Sequence, residues 1–174
     1  DRRQRQMCIR DRLKNKNLLK NKAYVNGAWV DAKSGKTFEV VNPSTGDLIV
    51  TVPDLDVDDA RTAINAAHEA FPSWSKKTAK ERSIVLNKFC KLMLENADDL
   101  AAILTAEMGK PLAEAKGEIT YGASFIEWFA EEGKRVYGET IPGHQEDKRI
   151  IVLKQPVGVV AAITPWNFPN AMIT

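Results

Sequence analysis

The stretch that decides the fold is Val157-Gly158-Val159-Val160-Ala161-Ala162-Ile163, followed at once by Thr164-Pro165-Trp166-Asn167-Phe168-Pro169. The first run is apolar and does not alternate with polar residues, which predicts a strand buried on both faces of a parallel sheet. The second run predicts a rigid turn, because two prolines limit its backbone. Ligands of open α/β proteins bind beyond the carboxyl ends of the strands, so we expect a site at this turn, with the Asn167 amide in it.

The position of this strand also predicts the architecture. Two parallel strands are joined by a crossover of about a dozen or more residues, usually a helix. Only 11 residues follow Ile163, and residues 170–174 indicate the first turn of such a helix. We therefore expect an α/β protein whose chain is truncated. The alternative is a complete small α+β domain that buries the strand against its own helices.

Upstream of this strand, turn signals and short apolar runs predict β structure. Asn26-Gly27 lies between two apolar runs and predicts a hairpin, because both residues tolerate positive φ. Residues 37–41 and 48–52 predict two further strands joined by a turn, and residues 148–155 predict another β segment. Between these regions, capping signals predict four helices. The first spans about 57–71 and is capped by Asp56, and the second opens after Thr78. The third spans about 98–108 and stops at Gly109, and the fourth, longer helix begins at Pro111.

Apolar residues at helical spacing predict which helix faces are buried. His68 shares one of these faces, which indicates a packing role, and His144 has no second metal-ligating residue at a suitable spacing. Gly122 and Gly133 indicate that another backbone packs closely against the fourth helix. The predicted buried positions are Ile64, Ala67, His68 and Phe71 on the first helix; Val85, Phe89 and Leu92 on the second; and Leu112, Ala115, Ile119, Gly122, Ile126, Phe129, Gly133 and Val136 on the fourth.

Composition excludes several classes of protein. The 174 residues are 44% hydrophobic and 28% charged, which is typical of globular domains, and no apolar run approaches the roughly 18 to 20 residues that span a bilayer. The net charge of +2 comes from the first 12 residues, which contribute +3, so the remaining −1 gives no reason to expect a nucleic-acid partner.

Two cysteines are too few for a disulfide framework, which favours a reducing, cytoplasmic location. Residues 1–12 are predicted to be a disordered or non-native tail, and residues 13–174 to be the folded part.

Five ordered strings give the sequence a specific resemblance. They are Val25-Asn26-Gly27-Ala28-Trp29, Asn42-Pro43-Ser44-Thr45-Gly46, Glu107-Met108-Gly109-Lys110-Pro111, Gln155-Pro156-Val157-Gly158-Val159 and the closing Thr-Pro-Trp-Asn-Phe-Pro. Residues 24–174 resemble the N-terminal third of an NAD(P)-dependent aldehyde dehydrogenase. Within that family, residues 110–119 and 124–135 are most similar to succinate-semialdehyde dehydrogenases. The resemblance implies part of a Rossmann-like cofactor domain, together with β segments at about 23–52 and 138–156 through which subunits pair as a homodimer or homotetramer.

The resemblance also implies a reaction. A Cys thiolate attacks the aldehyde, hydride passes to the nicotinamide of NAD or NADP, and a Glu activates the water that hydrolyses the thioester. By this resemblance Asn167 matches the catalytic asparagine that stabilises the oxyanion. The matched cofactor-binding residues are Ile163, Thr164, Pro165, Trp166 and Asn167.

The remaining family residues have no match up to Thr174, and Cys90 lies far upstream of the family's nucleophile. We therefore expect a fragment of a succinate-semialdehyde dehydrogenase that is inactive as a 174-residue chain. The alternatives are another aldehyde dehydrogenase, of the glutarate-semialdehyde or betaine-aldehyde type, and a non-catalytic truncated module that binds partners through its β segments. The sequence does not distinguish NAD from NADP.

Overall fold

Five α-helices and six strands make up the part of the chain described by the computed structural model, residues 9–174. None of these helices is both long and apolar enough to cross a bilayer. The helices are α1 (Ile9–Arg12), α2 (Val57–Ser75), α3 (Ala79–Glu95), α4 (Ala97–Met108) and α5 (Leu112–Glu132). The strands are β1 (Ala23–Val25), β2 (Ala28–Val30), β3 (Thr37–Val41), β4 (Leu48–Pro53), β5 (Glu139–Pro142) and β6 (Arg149–Val152).

The strands form three separate antiparallel hairpins, β1-β2, β3-β4 and β5-β6. The predicted turn between β1 and β2 is confirmed, with positive φ angles of 49° at Asn26 and 81° at Gly27. The predicted strands at 37–41 and 48–52 are confirmed as β3 and β4. The segment predicted at 148–155 is shorter than expected, since β6 ends at Val152.

Helices α3, α4 and α5 enclose the core. The capping signals of the sequence are confirmed: Asp56 and Thr78 each complete a capping box, and Gly109 ends α4 with a φ of 82°. The α5 helix contributes the most completely buried large side chain, Ile119, which is 1% exposed. The buried cluster comprises Cys90, Met93, Ala101, Leu104, Ala115, Ile119, Ala123 and Ile126.

Several predicted helix faces were wrong. On α3, Val85, Phe89 and Leu92 are 49%, 50% and 47% exposed, and the neighbouring face with Cys90 and Met93 is the buried one. The reason is that α3 carries apolar residues on more than one face, and periodicity alone does not say which face meets α5. On the predicted face of α2, Ile64, Ala67 and His68 are exposed and only Phe71 is half-buried, so the packing role predicted for His68 was also wrong.

The prediction for α5 was right over the middle of the helix. Ala115, Ile119, Gly122 and Ile126 are buried, whereas the predicted seam fails at its ends. Leu112, Phe129 and Val136 are 48%, 57% and 56% exposed. Gly122 does face another backbone, that of residues 170–174. Gly133 instead ends the helix, and a side chain there would meet only the carbonyl of Phe129.

The predicted buried strand at residues 157–163 was wrong. These residues form no strand, and Val157, Val160 and Ile163 are 94%, 77% and 98% exposed. A strand persists only where its backbone groups pair with a neighbour. Within residues 9–174 the strands pair only as three hairpins and none of them pairs with this segment, which stays irregular.

The structure describes only the last four residues of the tail predicted at residues 1–12. Residues 1–8 of the predicted tail lie outside the described residues, and residues 9–12 form α1. Leu13 is buried, and the Asp99 carboxylate accepts hydrogen bonds from the backbone N–H groups of Lys14 (3.0 Å) and Asn15 (2.7 Å). These bonds fix the chain against the first turn of α4.

We predict that Gly122→Ala loosens residues 170–174 from α5, although alanine favours a helix by about 1 kcal/mol over glycine. An added Cβ would lie 2.7 Å from Asn170 Oδ1 and 3.3 Å from the backbone Cα of Ala171. Amide exchange measured by mass spectrometry should therefore rise in residues 170–174 and stay low in α5. Gly117→Ala is the matched control, because a Cβ there meets nothing within 4 Å. Equal exchange of residues 170–174 in the two variants would contradict the prediction.

Candidate functional site

The turn that carries Asn167 is formed by its own backbone. The Phe168 N–H donates to the Pro165 carbonyl at 3.4 Å, which places Trp166 and Asn167 at the two central positions of a β-turn. The Met172 N–H donates to the Phe168 carbonyl at 3.2 Å and continues the chain as further turns. The helix predicted to start in residues 170–174 is present only as these turns.

The residues predicted to bind the cofactor lie along one open stretch. Ile163 is 98% exposed and Trp166 is 72% exposed. Pro165 and Asn167 are also exposed, whereas Thr164 is half-buried. Four of these five residues are therefore exposed and one is half-buried, along a single stretch of the chain.

A buried ion pair beneath this turn was missed by the sequence analysis. The Lys110 ammonium lies 2.5 Å from Glu118 Oε2, and the two side chains are 9% and 0% exposed. Lys110 lies between α4 and α5, and Glu118 lies on α5 next to the buried position Ile119. A signal was available, because a glutamate on an apolar seam is almost never buried unless it is paired. Glu118 lies three residues after Ala115 and next to Ile119, both predicted to be buried, so a cationic partner close to Glu118 could have been predicted.

The cation of this pair contacts the turn directly. The Lys110 ammonium donates to the carbonyl oxygen of Asn167 at 2.6 Å. It also lies 4.1 Å from the centre of the Phe168 ring, within the range of a cation–π contact. One buried charge therefore holds the residue that carries the site amide and the residue that follows it.

The carboxylate of the pair holds the next part of the chain. Glu118 Oε1 accepts hydrogen bonds from the backbone N–H groups of Asn170 at 2.9 Å and Ala171 at 3.2 Å. Gly122, one turn further along α5, leaves room for these residues to approach. Together Lys110 and Glu118 bind the chain on both sides of Phe168 and fix the Asn167 turn against α5.

The family of the chain follows from comparison with known sequences. The sequence profile described as the aldehyde dehydrogenase family matches residues 29–174. The chain belongs to this family. The resemblance drawn from the five sequence strings, and the fold class it implied, are thereby confirmed.

Close relatives differ in the substrate for which they are named. A glutarate-semialdehyde dehydrogenase of Pseudomonas putida is 62% identical over 162 residues, which are 93% of this chain and 34% of that protein. A succinate-semialdehyde dehydrogenase [NADP(+)] of Escherichia coli is 60% identical over 163 residues, which are 94% of this chain and 34% of that protein. A crystal structure of an NADP dependent enzyme from E. coli superposes with a TM-score of 0.90 at 60% identity, over 92% of this chain and 34% of that one. The chain thus spans about a third of the length of the proteins it matches.

Cys90 does not have the environment of a nucleophile in this aldehyde dehydrogenase chain. Its side chain is part of the α3–α5 core and is 7% exposed. Burial raises the pKa of the Cys90 thiol, and the nearby Glu127 carboxylate raises it further. The thiolate is the reactive form of cysteine, so a raised pKa and a closed core both oppose attack on a substrate.

We predict that iodoacetamide alkylates Cys90 at least about ten-fold more slowly in the native protein than in the urea-unfolded protein, because the thiol is protonated and enclosed. The rate would be read by peptide mapping at several pH values. The native rate should rise only at a pH above that at which a free cysteine reacts, since the raised pKa delays formation of the thiolate. Rapid native labelling at neutral pH would contradict the prediction.

Proposed function

We propose that the protein containing this chain is an NAD(P)-dependent aldehyde dehydrogenase that oxidises succinate semialdehyde to succinate. The observation that carries the proposal is the exposed amide of Asn167 at the tip of a turn held by a buried ion pair. Family membership and 60% identity to a succinate-semialdehyde dehydrogenase support the reaction and the substrate.

Asn167 has the chemistry that the proposed role requires. Nucleophilic attack on an aldehyde turns its carbonyl oxygen into an oxyanion, and an amide N–H held in place stabilises that charge as it develops. The side chain is exposed and so can meet a substrate, while its own backbone carbonyl is bound by Lys110. On this proposal the backbone of the donor residue is held by Lys110 before the reaction begins.

Ile163, Thr164, Pro165 and Trp166, with Asn167, are proposed to line the nicotinamide side of an NAD or NADP pocket. Their properties fit that group, because the exposed faces of Ile163 and Trp166 offer apolar contact to a flat ring and Asn167 offers a polar group beside it. When bound, a nicotinamide would supply the hydride acceptor for aldehyde oxidation. The E. coli relative and the E. coli crystal structure are both named for NADP, which favours NADP over NAD as the cofactor.

Glutarate semialdehyde is the second candidate substrate. The relative of that name is 62% identical to this chain, as similar as the succinate-semialdehyde enzyme. Both substrates carry a terminal carboxylate, so both require a basic side chain at the far end of the pocket. We therefore propose a carboxylate-ended aldehyde, not an uncharged one, as the substrate class, with succinate semialdehyde as the first candidate.

We predict that, in the complete protein, Asn167→Ala lowers kcat by about 10² to 10³, because one oxyanion donor is lost. Asn65→Ala on the exposed surface of α2 is the matched control and should leave kcat unchanged. NAD(P)H formation would be followed with succinate semialdehyde, glutarate semialdehyde and butanal. Residues 1–174 alone are expected to give none. Turnover of butanal as efficient as that of both semialdehydes would overturn the substrate assignment, and full activity of Asn167→Ala would overturn the role of Asn167.

We also propose that the protein pairs with copies of itself through its β5-β6 hairpin. Both strands are exposed along their whole length, and Ile151 and Leu153 are 69% and 73% exposed. An apolar, unpaired strand edge is a surface on which another strand can add.

We predict that Ile151→Asp shifts the complete protein towards smaller species in sedimentation velocity, because a charge on the paired edge would be desolvated. Gln145→Asp, in the turn of the same hairpin, adds the same negative charge and is the control for a change of charge alone. An unchanged distribution for Ile151→Asp would place the interface elsewhere.

A further inference from the structure

We propose that Lys110 and Glu118 are positioning residues, which set the location of the Asn167 amide without touching the substrate. This inference rests on the proposed function, since it assigns a role in aldehyde oxidation to a pair that lies beneath the site. The pair and the chain groups it binds are named here the turn anchor: Lys110, Glu118, the Asn167 carbonyl, the Phe168 ring and the N–H groups of Asn170 and Ala171.

The polar groups of the turn anchor satisfy one another. The Lys110 ammonium has three N–H groups, and it contacts Glu118 Oε2, the Asn167 carbonyl and the Phe168 ring. Glu118 Oε2 is taken by Lys110, and Oε1 accepts two backbone N–H groups. Burying two charges is costly unless such partners are supplied, so the pair is stable only while the turn is in place.

The turn anchor binds the chain at points close to the site amide. The Asn167 carbonyl belongs to the same residue as the amide, and the Glu118 contacts follow three and four residues later. Lys110 is 57 residues from Asn167 in sequence, and Glu118 is 52 and 53 residues from Asn170 and Ala171. These are the long-range hydrogen bonds that relate the turn to the α-helical core, so the direction of the amide depends on them.

A purely structural pair and a positioning pair predict different outcomes when both charges are removed. Replacing a buried ion pair by two apolar residues of similar size is often neutral or stabilising, whereas removing one partner leaves a buried charge without compensation. The double variant Lys110→Met/Glu118→Met should therefore fold about as stably as the wild type. It supplies no group that binds the Asn167 carbonyl or the N–H groups of Asn170 and Ala171.

The first arm of the test measures steady-state kinetics and melting temperature in the complete protein. The variants are Glu118→Gln, Lys110→Met and the double Met variant. We expect kcat to fall by about 10- to 100-fold in all three with KM changed less than about threefold, because misplacing a group by about 1 Å can cost 10² in rate. The double variant should keep the wild-type melting temperature. Lys116→Met, on α5 like Glu118, is the matched control, since it breaks an exposed ion pair to Asp98 of α4.

The second arm measures amide exchange and does not depend on activity. The N–H groups of Asn170 and Ala171 should be protected in the wild type and exchange at least about ten-fold faster in Glu118→Gln, because one amide oxygen replaces the carboxylate that bound both N–H groups and Lys110. Exchange within α5 should not change. Gln at this position retains the volume of Glu, so the comparison isolates the charge.

The outcomes separate the two proposals. Wild-type kcat in the double variant, or unchanged exchange at residues 170–171 in Glu118→Gln, would overturn the positioning role. A wild-type protein that oxidises none of the aldehydes would overturn the proposed function, and the exchange arm would still decide whether the turn anchor holds the loop. A melting temperature of the double variant as low as that of Lys110→Met, together with an equal loss of kcat in both, would show that the pair acts through stability and would also overturn the positioning role.

Discussion

The buried contact between Lys110 and Glu118 is the interaction on which the C-terminal part of this structure depends. Both side chains are almost completely enclosed, at 9% and 0% exposure, and the atoms that satisfy them come from residues 167–171. Removing one partner of such a pair typically costs about 3–5 kcal/mol, because a charge is left in an apolar surrounding. Displacing the surface turn would leave both charges without the partners that satisfy them, so the position of the turn contributes to the stability of the folded chain.

One side of α5 carries Glu118 and contacts the Asn167 turn, and another side packs into the helical core. Small residues at Ala115, Gly122, Ala123 and Ala130 let neighbouring segments approach its backbone, while Ile119 and Ile126 fill the space against α3 and α4. Gly122 leaves space for residues 170–174, which a larger side chain would displace. One helix thus acts as a core element and as the platform of the candidate site.

Local signals in the sequence predicted local structure well. The caps at Asp56 and Thr78, the left-handed Gly109 and the Asn26-Gly27 turn were all right, because each depends on hydrogen bonds or φ angles within a few residues. The exposed faces of α2 and α3 could not be predicted in the same way. Which face is buried depends on the partner that arrives from elsewhere in the chain, and periodicity does not identify that partner.

The surroundings of the candidate site also depend on distant partners that the local sequence does not identify. The sequence placed Asn167 at the carboxyl end of a buried strand, yet residues 157–163 are exposed and unpaired with any strand of residues 9–174. The turn is nevertheless held, because its restraints are the side chains of Lys110 and Glu118 on α5 and the chain just before it. A strand can bring the Asn167 turn to the edge of a sheet, but pairing of that strand does not fix the turn's backbone between residues 167 and 171. That local fixing comes from Glu118 on α5 and from Lys110 just before it, so the geometry of the Asn167 turn does not depend on pairing of residues 157–163.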